Sequence, residues 1–232
     1  MFTNFQKFEN NLIDSQIDNQ FGLIPDYCVP YEKRIVCFES YWSDNLLDNL
    51  TVKPFLRQLG RMVEENIEII HRYVDCNLGL AYYIQCLKEQ QIFPPVVYLA
   101  MHGKPGGRLE SVLERIGPVE LCDIFKDYGR NYPSTIIYFG SCEIFKGEEG
   151  KEFAEMFLKE SGVRAIIGYS KEITFINSLL IDTLFLSRFF TTKDDPFKYL
   201  TSTYNWVLED YRLASHCGFS IFINEDYKMT FE

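Results

Sequence analysis

The sequence lacks an uninterrupted apolar run long enough to cross a membrane. Its best candidate, "ITFINSLLIDTLFLSRFF" from Ile173, is broken by Asn177, Ser178, Asp182, Thr183, Ser187 and Arg188. That rhythm reads as a nearly buried helix with one thin polar stripe, whereas a span needs ~20 mostly apolar residues. The opening "MFTNFQKFENNLIDSQ" carries acidic residues and no apolar core, so a secretory signal is not expected there and a cytoplasmic location is. Paired metal-ligand spacing is also missing. The 3 histidines and 7 cysteines, the latter at 28, 37, 76, 86, 122, 142 and 217, contain no CxxC, which argues against a zinc site and for reduced thiols. Positive charge is scarce, with 23 Lys and Arg against 33 Asp and Glu. The net charge of -10 would repel a polyanion, so nucleic acid is not an expected partner. The "KPGG" of residues 104 to 107 lacks phosphate-loop spacing, and no internal repeat or low-complexity linker divides the chain.

What is present is a large apolar and aromatic load. With 47% hydrophobic residues, 20 Phe and 15 Tyr in 232 residues, the chain can bury one generous core. Residues 1–32, ending in "LIPDYCVPY", are expected to form an N-terminal arm on a single domain of residues 33–232. Within that domain strands and helices alternate. "RIVCFES", "IEIIHRYV", "VVYLAMHG", "TIIYFGSC" and "VRAIIGYS" read as strands, and "CGFSIFINED" as a sixth. "VKPFLRQLGRMVEEN", with Phe55, Leu56, Leu59, Met62 and Val63 on one face, reads as a helix. So do "NLGLAYYIQCLKEQQ", "GPVELCDIFKDYG", "EEGKEFAEMFLKESG", the striped segment from Ile173, and a stretch from about Pro196 to Leu213. Strands that are apolar runs alternating with helices predict an α/β three-layer sandwich around a mostly parallel sheet of about six strands.

Two of these strands stop on chemically active side chains, His102 and Cys142. In open parallel sheets chemistry gathers outside the carboxyl ends of strands, where loops and helix N-termini converge. If the third and fourth strands are neighbours, the imidazole and the thiol share that edge. A thiol of pKa ~8.5 is only a few per cent ionised at neutral pH, and a histidine beside it supplies the missing base, then returns the proton as an acid. Gly103 has no Cβ, so its N–H together with that of Cys142 can serve as an oxyanion hole. Asp75, at the end of the second strand, is expected to cap the next helix or orient a substrate. His71 reads as a satisfied sheet histidine.

The pair "VVYLAMHGKPGG" and "IIYFGSC", with "IGPVELCDIF" between them, resembles the two catalytic segments and intervening helix of the caspase-hemoglobinase fold of cysteine peptidases. The closest likeness is to the CHAT branch, bacterial relatives of caspases and separase. The resemblance covers residues 33 to about 190. It implies a Cys142–His102 dyad with Gly103 and Cys142 in the oxyanion hole, no metal or cofactor, and a protein or peptide substrate. A separate regulator or sensor protein is implied as partner, since the chain has no sensor repeats. It also places Glu39, Ser170 and Glu172 on loops bordering the pocket for the residue before the scissile bond, where a carboxylate would favour Lys or Arg. Only "EIFKGEEG" separates Cys142 from the next helix, too short for a cleavable linker. Gly140 stands where several relatives carry an acidic or amide specificity residue. Two alternatives stay open: a catalytically silent module for interaction or regulation, and another thiol acyl-transfer chemistry on the same dyad.

Overall fold

The computed structural model describes residues 33–43, 50–63, 67–132, 134–192 and 195–224, within the unit Tyr31–Glu232. The arm expected over residues 1–32 lies outside the described residues. In chain order the elements are β1 (Arg34–Glu39), α1 (Lys53–Met62), β2 (Glu68–Tyr73), α2 (Asn77–Glu89), β3 (Val96–Ala100), β4 (His102–Lys104), β5 (Arg108–Glu110) and β6 (Arg115–Ile116). There follow α3 (Pro118–Ile124), α4 (Tyr128–Asn131), β7 (Ile136–Phe139), α5 (Gly147–Ser161), β8 (Ala165–Tyr169) and α6 (Phe175–Thr191). A 3-10 turn at Pro196–Tyr199 leads into α7 (Leu200–Asp210), α8 (Arg212–His216) and β9 (Phe219–Ile223).

Six strands form the central sheet in the order β2-β1-β3-β7-β8-β9. All neighbours pair parallel except β8 and β9, which run antiparallel. Alternation of Cβ direction along each strand divides the interior in two. Ile35, Cys37, Val96, Tyr98, Ile136, Tyr138, Ala165 and Ile167 point into one core, closed by Leu56 and Leu59 of α1, Phe185 and Phe189 of α6 and Val207 of α7. Val36, Phe38, Val97, Leu99, Ile137, Phe139 and Ile166 enter the other, closed by Leu80 and Ile84 of α2, Leu121 of α3 and Phe153 and Phe157 of α5. Burial on both faces is why these strands read as unbroken apolar runs. Helix ends follow local chemistry. Thr174 caps α6 by accepting the Asn177 N–H at 3.3 Å, and Gly162, at φ 67°, ends α5 in the left-handed conformation.

Several local expectations differ from the structure. The helix expected over "GPVELCDIFKDYG" is two short helices, because Asp127 adopts φ 55° between them. Phe55 and Met62 of α1 are exposed, and only Leu56, Leu59 and Val63 of the expected face are buried. The turn-rich segment after β3 builds a second sheet, antiparallel, in the order β4-β5-β6. Among the described residues no helix is long and apolar enough to cross a membrane.

Candidate functional site

The strand order reverses between β1 and β3, since the chain moves from β1 outward to β2 and then crosses to the other side for β3. The crevice at such a switch lies at the carboxyl ends of the strands. Because β1, β3, β7 and β8 are parallel neighbours, the segments that leave them emerge along that one edge.

The chain leaves β3 through a bend at Met101, and His102 and Gly103 open β4. Because β3 and β7 pair directly, Cys142 emerges on the neighbouring strand's loop. The two segments touch through backbone. A Cβ placed on Gly103 would stand 2.0 Å from the carbonyl oxygen and 2.9 Å from the nitrogen of Cys142, so only glycine fits. A second link fixes the same approach: in the β4–β5 turn the N–H of Gly107 donates to the Ile144 carbonyl at 3.1 Å. Gly106 and Gly107, at φ 74° and 76°, let that turn lie on α5, where a Cβ at Gly107 would strike the Phe153 ring. The "KPGG" segment therefore docks the histidine hairpin onto the cysteine loop.

Each of the two side chains also has its own partner. The half-buried Cys142 thiol donates to the Ile173 carbonyl at 3.3 Å, in the loop between β8 and α6. Glu143, directly after it, holds φ 53° and donates its N–H to the Lys171 carbonyl. The Cys142 N–H has no acceptor among the described residues. His102 Nε2 lies 2.9 Å from the Trp42 carbonyl oxygen. A carbonyl only accepts, so Nε2 carries the proton and, in the neutral ring, Nδ1 is left as the base.

Trp42 was not anticipated from the sequence, although it falls just past the end of β1, at the carboxyl edge of the sheet. Its indole meets the His102 ring edge-on at 5.2 Å and Phe175, at the start of α6, at 5.1 Å. Its Nε1 donates to Glu39 Oε1 at 2.8 Å.

That bond corrects the role expected of Glu39. The side chain is 0% exposed, and its carboxylate also binds Thr51 Oγ1 at 2.7 Å, the Val52 N–H at 2.8 Å and His71 Nε2 at 2.6 Å. Burial pushes its pKa up, yet the hydrogen bonds from His71, Thr51, Trp42 and Val52 outweigh it and hold the carboxyl below its ordinary value. With its oxygens committed inside the protein, Glu39 cannot also face a substrate. It anchors Trp42 and the start of α1.

Asp75 does not cap α2. The Asn77 N–H instead donates to the Glu114 carboxylate, and Asp75 uses its backbone carbonyl to hold Leu113 N–H at 3.1 Å and Ser111 Oγ at 2.8 Å. Ser170 Oγ is turned to the Gly218 carbonyl at 3.1 Å, tying β8 to β9. Glu172 is exposed, one residue before the carbonyl that receives the thiol. Gly140 is required by packing, since a Cβ there would lie 2.4 Å from the Tyr98 hydroxyl. Among the described residues no group of three or more His, Cys, Asp or Glu side chains is arranged to hold a metal ion.

Beneath the site lies a second buried carboxylate. Asp182 of α6 receives Tyr98 OH and Tyr138 OH at 2.5 Å each, and Tyr169 OH as well, one tyrosine from each of β3, β7 and β8. Desolvation raises its pKa to about 6 against the pull of the three hydroxyls.

The model of a protein family described as "Family of unknown function (DUF6642)" matches residues 32–222. The chain belongs to this family. His102, Gly103 and Cys142 all fall inside the matched stretch, as do Glu39 and Asp182. No match to the chain is found among curated proteins.

Proposed function

We propose that this DUF6642 protein is a caspase-like cysteine endopeptidase in which Cys142 is the nucleophile and His102 its base and acid. The observation that carries this reading is the contact of Gly103 with the Cys142 peptide, which brings the segment bearing the imidazole against the one bearing the thiol. The thiol turns from Ile173 and gives its proton to Nδ1 of His102. Turning forfeits one weak hydrogen bond, about 1 kcal/mol, and catalytic contacts often close only when substrate arrives. The thiolate adds to the substrate carbonyl carbon. The oxyanion that forms is held by the N–H groups of Gly103 and Cys142, each worth roughly 3 kcal/mol in well-built sites. As the C–N bond breaks, Nδ1 passes its proton to the departing nitrogen, and a thioester remains on Cys142. Water, losing a proton to Nδ1, then cleaves the thioester and the thiol is restored. No metal or cofactor is needed for these steps. Glu172 is the carboxylate that would favour Lys or Arg before the scissile bond, through a charge-assisted hydrogen bond.

A peptide library from a whole proteome, digested by wild type and by Cys142→Ala and read by mass spectrometry, tests the reading. Cuts that vanish in the variant support it. Equal digests, with candidate regulator proteins present, refute it. A second reading, a silent interaction or regulatory module, draws on the separate partners of the two side chains: the thiol rests on Ile173 and the imidazole on Trp42. That reading predicts equal digests together with no activation of the thiol.

A further inference from the structure

The dyad divides a substrate in two. Sulfur stays with the acyl half, while the imidazole hands its proton to the departing nitrogen, so the chain beyond the scissile bond must leave past His102. A cavity of about 700 Å3 opens there, with His102 in its wall and Cys142 outside it. One side is formed by Tyr41 and Trp42, following β1, and the other by Val112 and Leu113 in the turn between β5 and β6. The size is in the range that receives whole ligands, ~300–1,000 Å3, and so admits several residues rather than one side chain.

The walls are part polar and part apolar, and the apolar part, Tyr41, Trp42, Val112 and Leu113, is held in place. Tyr41, Val112 and Leu113 are 59%, 52% and 73% exposed, large apolar groups turned outward beside a reactive imidazole. Tyr41 stacks on Tyr73 with ring centres 5.4 Å apart. The turn carrying Val112 and Leu113 is fixed by the bonds of Asp75 to Ser111 and Leu113 and by Glu114 on the α2 N-terminus. A wall ordered before binding pays little entropy on binding. The charged residues of the lining are already engaged, Glu110 lying 3.0 Å from Arg115 and 3.6 Å from Lys104, and Glu114 accepting the Asn77 N–H.

We propose that this cavity is the leaving-side subsite and selects a large apolar residue, aromatic or Leu or Met, at the first or second position after the cut. The proposal rests on the peptidase reading above. It is tested in the same library digest with the full chain, comparing wild type with Val112→Asp and Leu113→Asp, whose folding is checked by circular dichroism. Wild type is expected to enrich large apolar residues at those positions by about tenfold over Gly and Asp, the low end for an apolar pocket. Each Asp variant should lose most of that enrichment and keep the preference before the cut. Cys142-dependent cuts with a flat or charge-seeking leaving side would overturn the subsite and leave the peptidase standing. An absence of Cys142-dependent cuts would overturn both.

Discussion

Replacing Gly103 by alanine inserts one methyl group into the contact between the histidine and cysteine segments. Its nearest neighbour would be the Cys142 carbonyl oxygen at 2.0 Å, whereas ordinary van der Waals contact begins at 3.4 Å. The obstacle is backbone and cannot rotate away, so the segments must separate by roughly 1.4 Å. Overpacking of this kind costs about 1–3 kcal/mol. For a chain of this size, at 2–4 °C per kcal/mol, the melting temperature should fall by about 2–12 °C. A displacement near 1 Å at a reacting pair costs on the order of 100-fold in rate. The assay is the rate of Cys142-dependent peptide cleavage, with thermal melting in parallel. Gly79→Ala is the control: a Cβ there meets nothing closer than 3.8 Å, and within α2 alanine should gain up to about 1 kcal/mol. A Gly103→Ala protein that melts and reacts like wild type would refute the close approach.

Asp182 holds its proton to about pH 6 in the folded chain but to only 3.8 when unfolded, so its contribution to stability, read as wild type minus Asp182→Asn, should decline by about 3 kcal/mol as pH rises through that window. Urea titrations of the two proteins should show that difference falling with pH, and a difference independent of pH would contradict the assignment. Glu39 has the opposite sign, its lowered pKa contributing stability above the ordinary carboxylate range that fades as pH falls through the folded value. Glu39→Gln should cost about 3 kcal/mol at pH 7, less in acid, and should loosen Trp42; a loss under about 1 kcal/mol would contradict its anchoring role.

The central sheet was legible because its inner strands are buried on both faces and so print as apolar runs, which few other environments require. The small sheet of β4, β5 and β6 was not. Its strands are two or three residues long, and what holds their turn in place is contact of Gly107 with Ile144 and Phe153, 37 and 46 residues further along the chain. His102 and Cys142 stood out as reactive groups at strand ends, and the β3–β7 pairing puts their segments side by side. Glu39 looked like an available carboxylate because its partners Trp42, Thr51, Val52 and His71 leave no joint pattern in sequence. Asp182 was visible as one polar position on a buried helix. Its three tyrosines, ordinary aromatic strand residues by sequence, lie 84, 44 and 13 positions away.

Alkylation by iodoacetamide, followed cysteine by cysteine with mass spectrometry, tests the assistance of sulfur by imidazole most directly. Cys37, Cys122 and Cys217 are buried with raised pKa values and should lag. An unassisted thiol of pKa ~8.5 is about 3 per cent ionised at pH 7, so assistance leaves room for about tenfold acceleration. Cys142 should react about tenfold faster than Cys76 and Cys86, and lose that lead in His102→Ala. A Cys142 no faster than those two, or one indifferent to loss of the imidazole, would contradict the dyad.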